Sequence, residues 1–326
     1  MRYLVTGATG FLGSHVVDAL RARGHEVVAM ARGANRLPPR EGVTAVKGDI
    51  LDADAVRAAV AGCDGVFHCA GKVSRDPDDA EALWRTHVEG TRVVCEAARA
   101  AGVRRAVVAS TSGTVAISED ADVVTREDDP TPYAIIQRFA YYRSKLYAEK
   151  EALAQNRDGL EVVVVNPSLL LGPGDGQGSS TNDVKLFLEG RVPFVPSGGM
   201  SYVDARDAAE GMVLAMEKGA PGRRYLMGGS NCTVREFFGR LERVSGVRAP
   251  VLPLPPSPKL ARLGATLMDR ALRYVGSSAP VDPETAEMSQ LYWYVDATRA
   301  EAELGWSARD PIATLHDTVE DLRARA

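Results

Sequence analysis

A tyrosine and a lysine stand four positions apart in the segment Tyr141-Tyr142-Arg143-Ser144-Lys145. Because this spacing is about one helical turn, Tyr141 and Lys145 are expected to share one face of a helix. A phenol ordinarily has a pKa of about 10, and a neighbouring ammonium lowers that pKa because it favours the phenolate. The pair is therefore expected to exchange a proton with a substrate oxygen near neutral pH.

Hydroxyl side chains end the predicted strand that precedes this helix, at Thr111 and Ser112. A hydroxyl at this point can hydrogen-bond the same substrate oxygen as the phenol, because it carries both a donor and acceptors. Hydroxyls at strand ends also often serve only as turn residues, so the residue types leave the choice between Thr111 and Ser112 open.

A glycine-rich segment near the amino terminus, TGATGFLG, follows a predicted strand and opens a predicted helix. Gly7 permits a tight turn, Gly10 lets a pyrophosphate approach the backbone, and Gly13 lets the helix pack closely on the sheet. The free N–H groups and positive dipole end of the helix then face the phosphates. We therefore expect a bound dinucleotide to contact Gly7, Thr9, Gly10, Phe11, Leu12 and Gly13.

The end of the second predicted strand indicates which dinucleotide binds. An acidic residue there would bind the ribose hydroxyls of NAD, but this chain has Arg32, with Arg36 close behind. A guanidinium suits a 2′-phosphate because it forms charge-assisted, often bidentate hydrogen bonds. The sequence favours NADP(H), with NAD(H) as the alternative. Further predicted cofactor contacts are Asp49, Ile50, Cys69, Ala70, Gly71, Lys145, Pro167 and Ser168.

Short apolar runs alternate with helical stretches through the first half of the chain, which predicts a parallel sheet covered by helices on both faces. The predicted fold is α/β, a Rossmann-type doubly wound parallel sheet with a smaller, mainly helical carboxyl-terminal substrate domain. We expect residues 1–166 to form the NADP(H)-binding domain and residues 167–326 the substrate-binding region. A late strand near 223–228 is expected to rejoin the first sheet.

Composition restricts the compartment and the partners. The net charge is −4, and acidic and basic residues are interspersed, which does not resemble a nucleic-acid-binding surface. The sequence contains no apolar stretch of the roughly 18 residues that a membrane span needs. Its four cysteines lack the spacing of a metal site or a disulfide scaffold. We expect a cytoplasmic protein without a metal ion.

The chain resembles the extended short-chain dehydrogenases/reductases of the NAD-dependent epimerase/dehydratase superfamily, and most of all their dihydroflavonol-reductase-like and 3β-hydroxysteroid-dehydrogenase-like branch. The likeness runs from TGATGFLG to VDATRAEAELGW and includes VFHCAG, EGTRVVCEAA, YYRSKLYAEK and NPSLLLGPGD. It implies a Ser/Thr–Tyr–Lys triad in which counting from the strand selects Thr111 and aligning on Thr114-Val115 selects Ser112; we prefer Thr111. It also implies that His87 replaces an asparagine that holds structure near the active site.

Three functions compete. The favoured one is an NADP(H)-dependent reductase of a ketone or aldehyde, or dehydrogenase of the alcohol. The second is an NDP-sugar 4-epimerase, weakened because Ser197-Gly198-Gly199-Met200 lacks the arginine that such enzymes usually have there; Arg191, Arg206 or Arg224 could compensate. Dehydration is disfavoured, because Ser112-Gly113 offers no acid after Thr111. The third is a non-catalytic NADP(H)-binding redox sensor.

Apolar residues between the proline-rich connector (249–258) and Tyr294 favour a hydrophobic small-molecule carbonyl or alcohol as substrate, because they could roof an apolar pocket. They are Met268, Tyr274, Met288, Leu291, Tyr292 and Trp293. By analogy with the family, a homodimer is expected to form through the helical stretches Glu81–Ala101 and Tyr141–Gln155.

Overall fold

The computed structural model describes residues 1–254, 257–274 and 283–326, without the side chains of Arg36, Pro258 and residues 268–274. Its strands are β1 (Arg2–Thr6), β2 (Glu26–Ala31), β3 (Val43–Lys47), β4 (Gly65–His68), β5 (Arg105–Ala109), β6 (Glu161–Pro167), β7 (Leu169–Leu171), β8 (Gly199–Asp204), β9 (Arg224–Met227) and β10 (Ser230–Thr233). Its helices are α1 (Phe11–Ala22), α2 (Ala53–Val60), α3 (Ala80–Trp84), α4 (Gly90–Ala100), α5 (Tyr133–Ile136), α6 (Ala140–Ala154), α7 (Asn182–Leu188), α8 (Ala205–Lys218), α9 (Val234–Ser245), α10 (Pro258–Tyr274), α11 (Pro283–Met288) and α12 (Pro311–Ala324).

Across the part of the chain that the structure describes, seven parallel strands form one sheet in the order β3-β2-β1-β4-β5-β6-β9. Central strands of such a sheet are covered on both faces, which explains why the four valines 162–165 of β6 are all fully buried. The strand order reverses between β1 and β4, and ligands of doubly wound sheets bind at the carboxyl ends of the strands beside such a reversal. The predicted Rossmann-type architecture is confirmed.

The carboxyl-terminal half supplies β9 to the edge of this sheet, where Val164 of β6 pairs with Arg224. Much of the remainder packs around a small sheet of order β10-β8-β7, against which α7, α9 and α12 bury an apolar cluster that includes Phe187, Phe237 and Leu315. The helical character of this region is confirmed. The small sheet was not expected, because strands as short as Leu169–Leu171 carry too few residues for a recognisable alternation.

The predicted helix Glu81–Ala101 is interrupted. A π-helical turn at Arg85–Glu89 separates α3 from α4 and leaves His87 buried. A π turn holds more residues than an α turn, so the residues on either side of it do not follow one helical wheel. Residues 81–101 therefore have a uniform helical pattern in sequence but two differently oriented faces in the structure.

A lipid bilayer could not be crossed by any helix among the described residues, because none is both long and apolar enough.

Glycines bring α1 against the ends of β1 and β4. Gly7 has a φ of +69°, a backbone conformation that side chains disfavour. A Cβ on Gly13 would lie 2.2 Å from the backbone oxygen of Gly7, so α1 could not keep its place with any side chain there. A Cβ on Gly10 would meet only that same oxygen, at 3.2 Å. The close packing of α1 therefore depends on Gly13 far more than on Gly10.

We expect Gly13→Ala to destabilise the fold by more than about 2 kcal/mol, because the atom that it meets belongs to the backbone and cannot rotate away. Gly10→Ala is the matched control and should change the free energy of unfolding by less than about 1 kcal/mol. Urea-induced unfolding followed by circular dichroism measures both values. Equal stabilities of the two variants would contradict the packing described for α1.

Candidate active site

Helix α6 presents Tyr141 and Lys145 to the carboxyl ends of β4 and β5. The Lys145 side chain is buried, and its Nζ donates a hydrogen bond of 2.6 Å to the backbone oxygen of Ala109, the last residue of β5. Burial lowers the pKa of Lys145 to about 8, although Glu149 and Cys69 oppose that decrease. The Tyr141 ring packs edge to face on His87 with 5.6 Å between ring centroids. Both side chains thus lie at the strand ends beside the reversal of strand order.

The pKa of Tyr141 is raised, whereas the sequence predicted that it would be lowered. The neighbouring ammonium was expected to lower the pKa of the phenol, but burial raises it above its ordinary value, and Tyr142 adds to the increase. The reason is that loss of solvation disfavours the phenolate. A phenol in this environment is protonated at neutral pH, which is the state from which a proton donor starts, and it is a weaker acid than a solvated phenol.

Thr111 and Ser112 lie at the turn that follows β5. The Thr111 hydroxyl caps the 3-10 turn Ser112–Thr114 by accepting the N–H of Gly113 at 3.4 Å, which leaves its own hydrogen free to be donated elsewhere. Ser112 is more deeply buried, with 5% of its surface exposed. The backbone oxygen of Thr111 accepts a hydrogen bond of 3.1 Å from Asn166 on β6. The preference for Thr111 over Ser112 stays a prediction.

His87 links the loop after β4 to the first turn of α6. Its Nε2 accepts the backbone N–H of Lys72 at 3.1 Å, and its Nδ1 lies 2.8 Å from the hydroxyl of Ser144. Since that hydroxyl donates to the backbone oxygen of Tyr141 at 2.7 Å, Nδ1 must carry the imidazole proton and donate to it. Burial lowers the pKa of His87 to about 2, so the ring is neutral and this chain of hydrogen bonds is complete. His87 thereby fixes the backbone that carries Tyr141.

The glycine turn and the strand ends fit a dinucleotide. A Cβ on Gly7 would lie 2.6 Å from the backbone nitrogen of Ala70, so the turn touches the segment Cys69–Gly71 after β4. Among the described residues, no side chain caps the amino terminus of α1, which leaves its N–H groups for an anion. Thr9 is half-buried in the same turn, and the side chains of Phe11 and Leu12 are buried beneath it, so these two offer their backbone.

The adenosine end of the predicted site contains Arg32, Asp49 and Ile50. Arg32 is exposed directly after β2. The side chain of Arg36 lies outside the described residues. One carboxylate oxygen of Asp49 accepts the N–H of Leu51 at 3.0 Å, which leaves the other oxygen for an adenine amino group. Ile50 packs into the core beside Gly90 and can offer only its backbone.

Pro167 ends β6, and Ser168 follows it on the same side of the sheet. Ser168 is 6% exposed, and its hydroxyl has no hydrogen-bond partner among the residues that the structure describes. A buried hydroxyl without a partner costs free energy unless a ligand or water satisfies it. Its position is consistent with the predicted contact to the cofactor.

An aromatic pair forms a wall next to Tyr141. The rings of Tyr142 and Trp293 lie 4.8 Å apart, and both lie close to Gly113, where a Cβ would meet Tyr142 at 2.3 Å and Trp293 at 3.1 Å. Met288 packs in the same apolar cluster. The other apolar residues singled out in the sequence differ: Leu291 is fully buried core, Tyr292 donates its hydroxyl to the Ser197 backbone, and the side chains of Met268 and Tyr274 lie outside the described residues.

Sequence reasoning missed a buried acid beside this site. Glu149 is 1% exposed and accepts hydrogen bonds from Ser110, Thr114 and Asn166. Its place four residues after Lys145, on the same face of α6, was the available signal, because Tyr141, Lys145 and Glu149 recur at helical spacing.

Comparison with known proteins agrees with this geometry. The model of the NAD dependent epimerase/dehydratase family matches residues 3–228. A putative dihydroflavonol 4-reductase of Synechocystis sp. is 32% identical over 311 residues, which cover 93% of this chain and 89% of that protein. The sterol demethylase protein B of Methylococcus capsulatus is 36% identical over 260 residues, 78% of each chain.

A solved structure, MoeE5 in complex with UDP-glucose and NAD, superposes with a TM-score of 0.76 at 25% identity and covers 100% of this chain and 99% of its own. The family match extends over more than half of the chain, and both sequence relatives exceed 30% identity over more than two thirds of it. The chain therefore belongs to the NAD-dependent epimerase/dehydratase family of extended short-chain dehydrogenases/reductases and is an NAD(P)-dependent oxidoreductase.

Proposed function

We propose that this enzyme uses NADP(H) to reduce the carbonyl of a hydrophobic ketone or aldehyde, or to oxidise the corresponding alcohol. The observation that carries the proposal is the position of Tyr141 and Lys145 at the ends of β4 and β5. The segment that follows β4 touches the glycine turn through Ala70, so the reacting phenol and a dinucleotide at that turn would be neighbours.

The residues divide the proposed chemistry as follows. The cofactor, when bound, supplies the hydride that the substrate carbonyl carbon accepts. Tyr141 donates its phenolic proton to the carbonyl oxygen as negative charge develops there, and the Thr111 hydroxyl orients that oxygen. Lys145 would hold the ribose of the cofactor and would stabilise the phenolate that forms. Tyr141 is protonated before the step, because burial raises its pKa above the ordinary value.

Tyr141→Phe is expected to lower kcat about 100-fold or more, because proton donation by a positioned side chain contributes roughly 10²–10⁴-fold to a rate. NADPH binding, measured by quenching of protein fluorescence, should stay nearly unchanged. Tyr133→Phe is the matched control, since Tyr133 is half exposed and bonded to Lys150 on the surface. Near-native turnover of Tyr141→Phe on an identified substrate would remove Tyr141 from the mechanism.

The preference for NADP(H) rests on Arg32, whose guanidinium is exposed after β2 at the point where a 2′-phosphate would lie. Arg32→Asp should weaken NADPH binding at least about 10-fold, because a charge-assisted hydrogen bond contributes about 1.5–3 kcal/mol. NADH binding should change little or improve. Fluorescence titrations with both cofactors, with the exposed Arg235→Asp on α9 as control, make the comparison. Equal losses for NADPH and NADH would exclude a role for Arg32 at the 2′-phosphate.

Existing ion pairs argue against the NDP-sugar 4-epimerase alternative. Arg206 is held by Asp204 and Asp317, and Nε of Arg224 is paired with buried Glu149, so both guanidinium groups already have carboxylate partners. Arg191 is exposed and lies 3.2 Å from Glu189. The aromatic wall of Tyr142 and Trp293 instead suits an apolar ring, and relatives named for dihydroflavonol and sterol chemistry support that substrate class.

An NADPH-oxidation screen over hydrophobic ketones, aldehydes and UDP-sugars distinguishes the candidate functions. Oxidation of NADPH with ketones or aldehydes alone supports the reductase. Epimerisation of a UDP-sugar without net cofactor change supports the epimerase, which the family description also includes. Tight cofactor binding without any turnover supports the redox sensor.

A groove on the outer face of the helices supports a homodimer. Trp84 and Tyr147 are 39% and 42% exposed, and their rings lie 5.3 Å apart. Such large exposed aromatics on adjacent helices are typical of protein–protein contacts. The groove is also lined by Val88, Glu89, Arg92, Lys150 and Glu151, so it offers both signs of charge to a second copy of itself.

Trp84→Glu is expected to convert the dimer to a monomer, because it would place a charge at the centre of an apolar contact. Size-exclusion chromatography with light scattering measures the mass of both proteins, and Leu260→Glu on exposed α10 is the control. A monomeric unsubstituted protein would refute this assembly.

We also propose a cytoplasmic location, because Cys63, Cys69, Cys95 and Cys232 are all free thiols, which suits a reducing compartment.

A further inference from the structure

The mechanism proposed above does not use Glu149, although this carboxylate is the acid buried beside Lys145. Its Oε2 accepts hydrogen bonds from the Ser110 hydroxyl at 2.7 Å, the Asn166 amide at 2.8 Å and the Thr114 hydroxyl at 3.0 Å. Its Oε1 lies 3.0 Å from Nε of Arg224, in an ion pair rather than an aligned hydrogen bond. A buried carboxylate is costly unless it is paired and hydrogen-bonded, and Glu149 has both kinds of partner.

Glu149 is connected to the hydroxyl turn. The Asn166 amide that donates to Glu149 also donates to the backbone oxygen of Thr111 at 3.1 Å. Thr114, which donates to Glu149, ends the 3-10 turn that begins after Thr111. The carboxylate therefore binds one end of this turn directly, through Thr114, and is linked to the other end, at the Thr111 backbone oxygen, through the Asn166 amide.

Glu149 follows Lys145 by one turn of α6, and both side chains are buried, so its carboxylate supplies a negative charge near the ammonium. The groups that face Lys145 from other elements are His68 and Cys69 at the end of β4 and His87 of the π turn. Burial lowers the pKa of His68 to about 3 and that of His87 to about 2, and raises the pKa of Cys69 to about 12. All three groups are therefore uncharged at neutral pH, and among the groups named here the negative charge acting on the ammonium comes from Glu149.

We propose that Glu149 is a positioning residue of the reductase: its charge keeps Lys145 protonated, and its hydrogen bonds hold the turn that carries Thr111. Arg224, on β9 from the carboxyl-terminal half, balances the charge of Glu149 and so joins that half to the site. The inference rests on the proposed function for its effect on turnover. Its effect on the titration of Lys145 can be measured without any substrate.

The test is Glu149→Gln, which removes the charge but keeps the size and one acceptor oxygen. We expect the titration midpoint of Lys145 to fall by about one pH unit or more, since a neighbouring opposite charge raises the pKa of an ammonium and Glu149 follows Lys145 by one helical turn. The chain has seven lysines, few enough for ¹³C NMR of protein labelled at lysine Cε to resolve their signals. The signal that is missing from Lys145→Arg belongs to Lys145. In turnover, the decline of kcat at alkaline pH should move to lower pH by the same interval, with KM for the substrate little changed.

The matched control is Glu127→Gln. Glu127 is also buried, accepts the N–H of Leu226 on β9 at 2.9 Å and lies 3.6 Å from Arg299, so it tests the loss of a buried, paired carboxylate away from Lys145. Glu149→Asp keeps the charge and should leave the Lys145 midpoint nearer to that of the unsubstituted protein than Glu149→Gln does. This variant also serves where Glu149→Gln fails to fold.

An unchanged Lys145 midpoint in folded Glu149→Gln, or an equal shift in Glu127→Gln, would overturn the proposal. A fall of the Lys145 midpoint in Glu149→Asp as large as that in Glu149→Gln would also overturn the proposal. The geometry of residue 149, rather than its charge, would then be responsible. A shifted midpoint in a protein that turns over no carbonyl substrate would support the electrostatic role of Glu149 and refute the reductase function.

Discussion

A buried ammonium group is the constraint on which the site depends. Lys145 loses most of its contact with water, and its pKa is lowered to about 8, so its charge persists only because partners compensate for the lost solvation. The backbone oxygen of Ala109 and the carboxylate of Glu149 provide that compensation. These partners come from β5 and α6, which ties the position of the ammonium to the packing of the helix on the sheet.

The same requirement extends outward from Lys145. Glu149 is itself buried and needs Ser110, Thr114, Asn166 and Arg224, which belong to the β5 turn, to β6 and to β9. A charge in a region of low dielectric thus organises a set of polar groups, each of which would be costly to bury alone. The strand β9 reaches the sheet from the carboxyl-terminal half, so the two halves of the chain share this network.

Tyr141 depends on a separate set of contacts. The neutral ring of His87 joins the backbone of Lys72 to the hydroxyl of Ser144, which holds the backbone oxygen of Tyr141. The π turn that presents His87 is a departure from regular helix at the point where the site needs a side chain, as such turns often are. Burial in this environment raises the pKa of Tyr141, so the phenol is protonated at neutral pH.

The sequence by itself determined the parallel sheet, the glycine turn and the helix that carries Tyr141 and Lys145, because each is encoded in local spacing: buried valine runs, glycines at a strand–helix junction, and side chains four residues apart. The same four-residue spacing places Glu149 on the face of the helix that carries Tyr141 and Lys145. It gave no sign that Glu149 is buried, since glutamate is ordinarily exposed. Only the tertiary structure decided the pKa of Tyr141, the tautomer of His87 and the pairing of Arg224 with Glu149. These properties depend on loss of water and on contacts between residues far apart in the chain, and neither is expressed in local sequence.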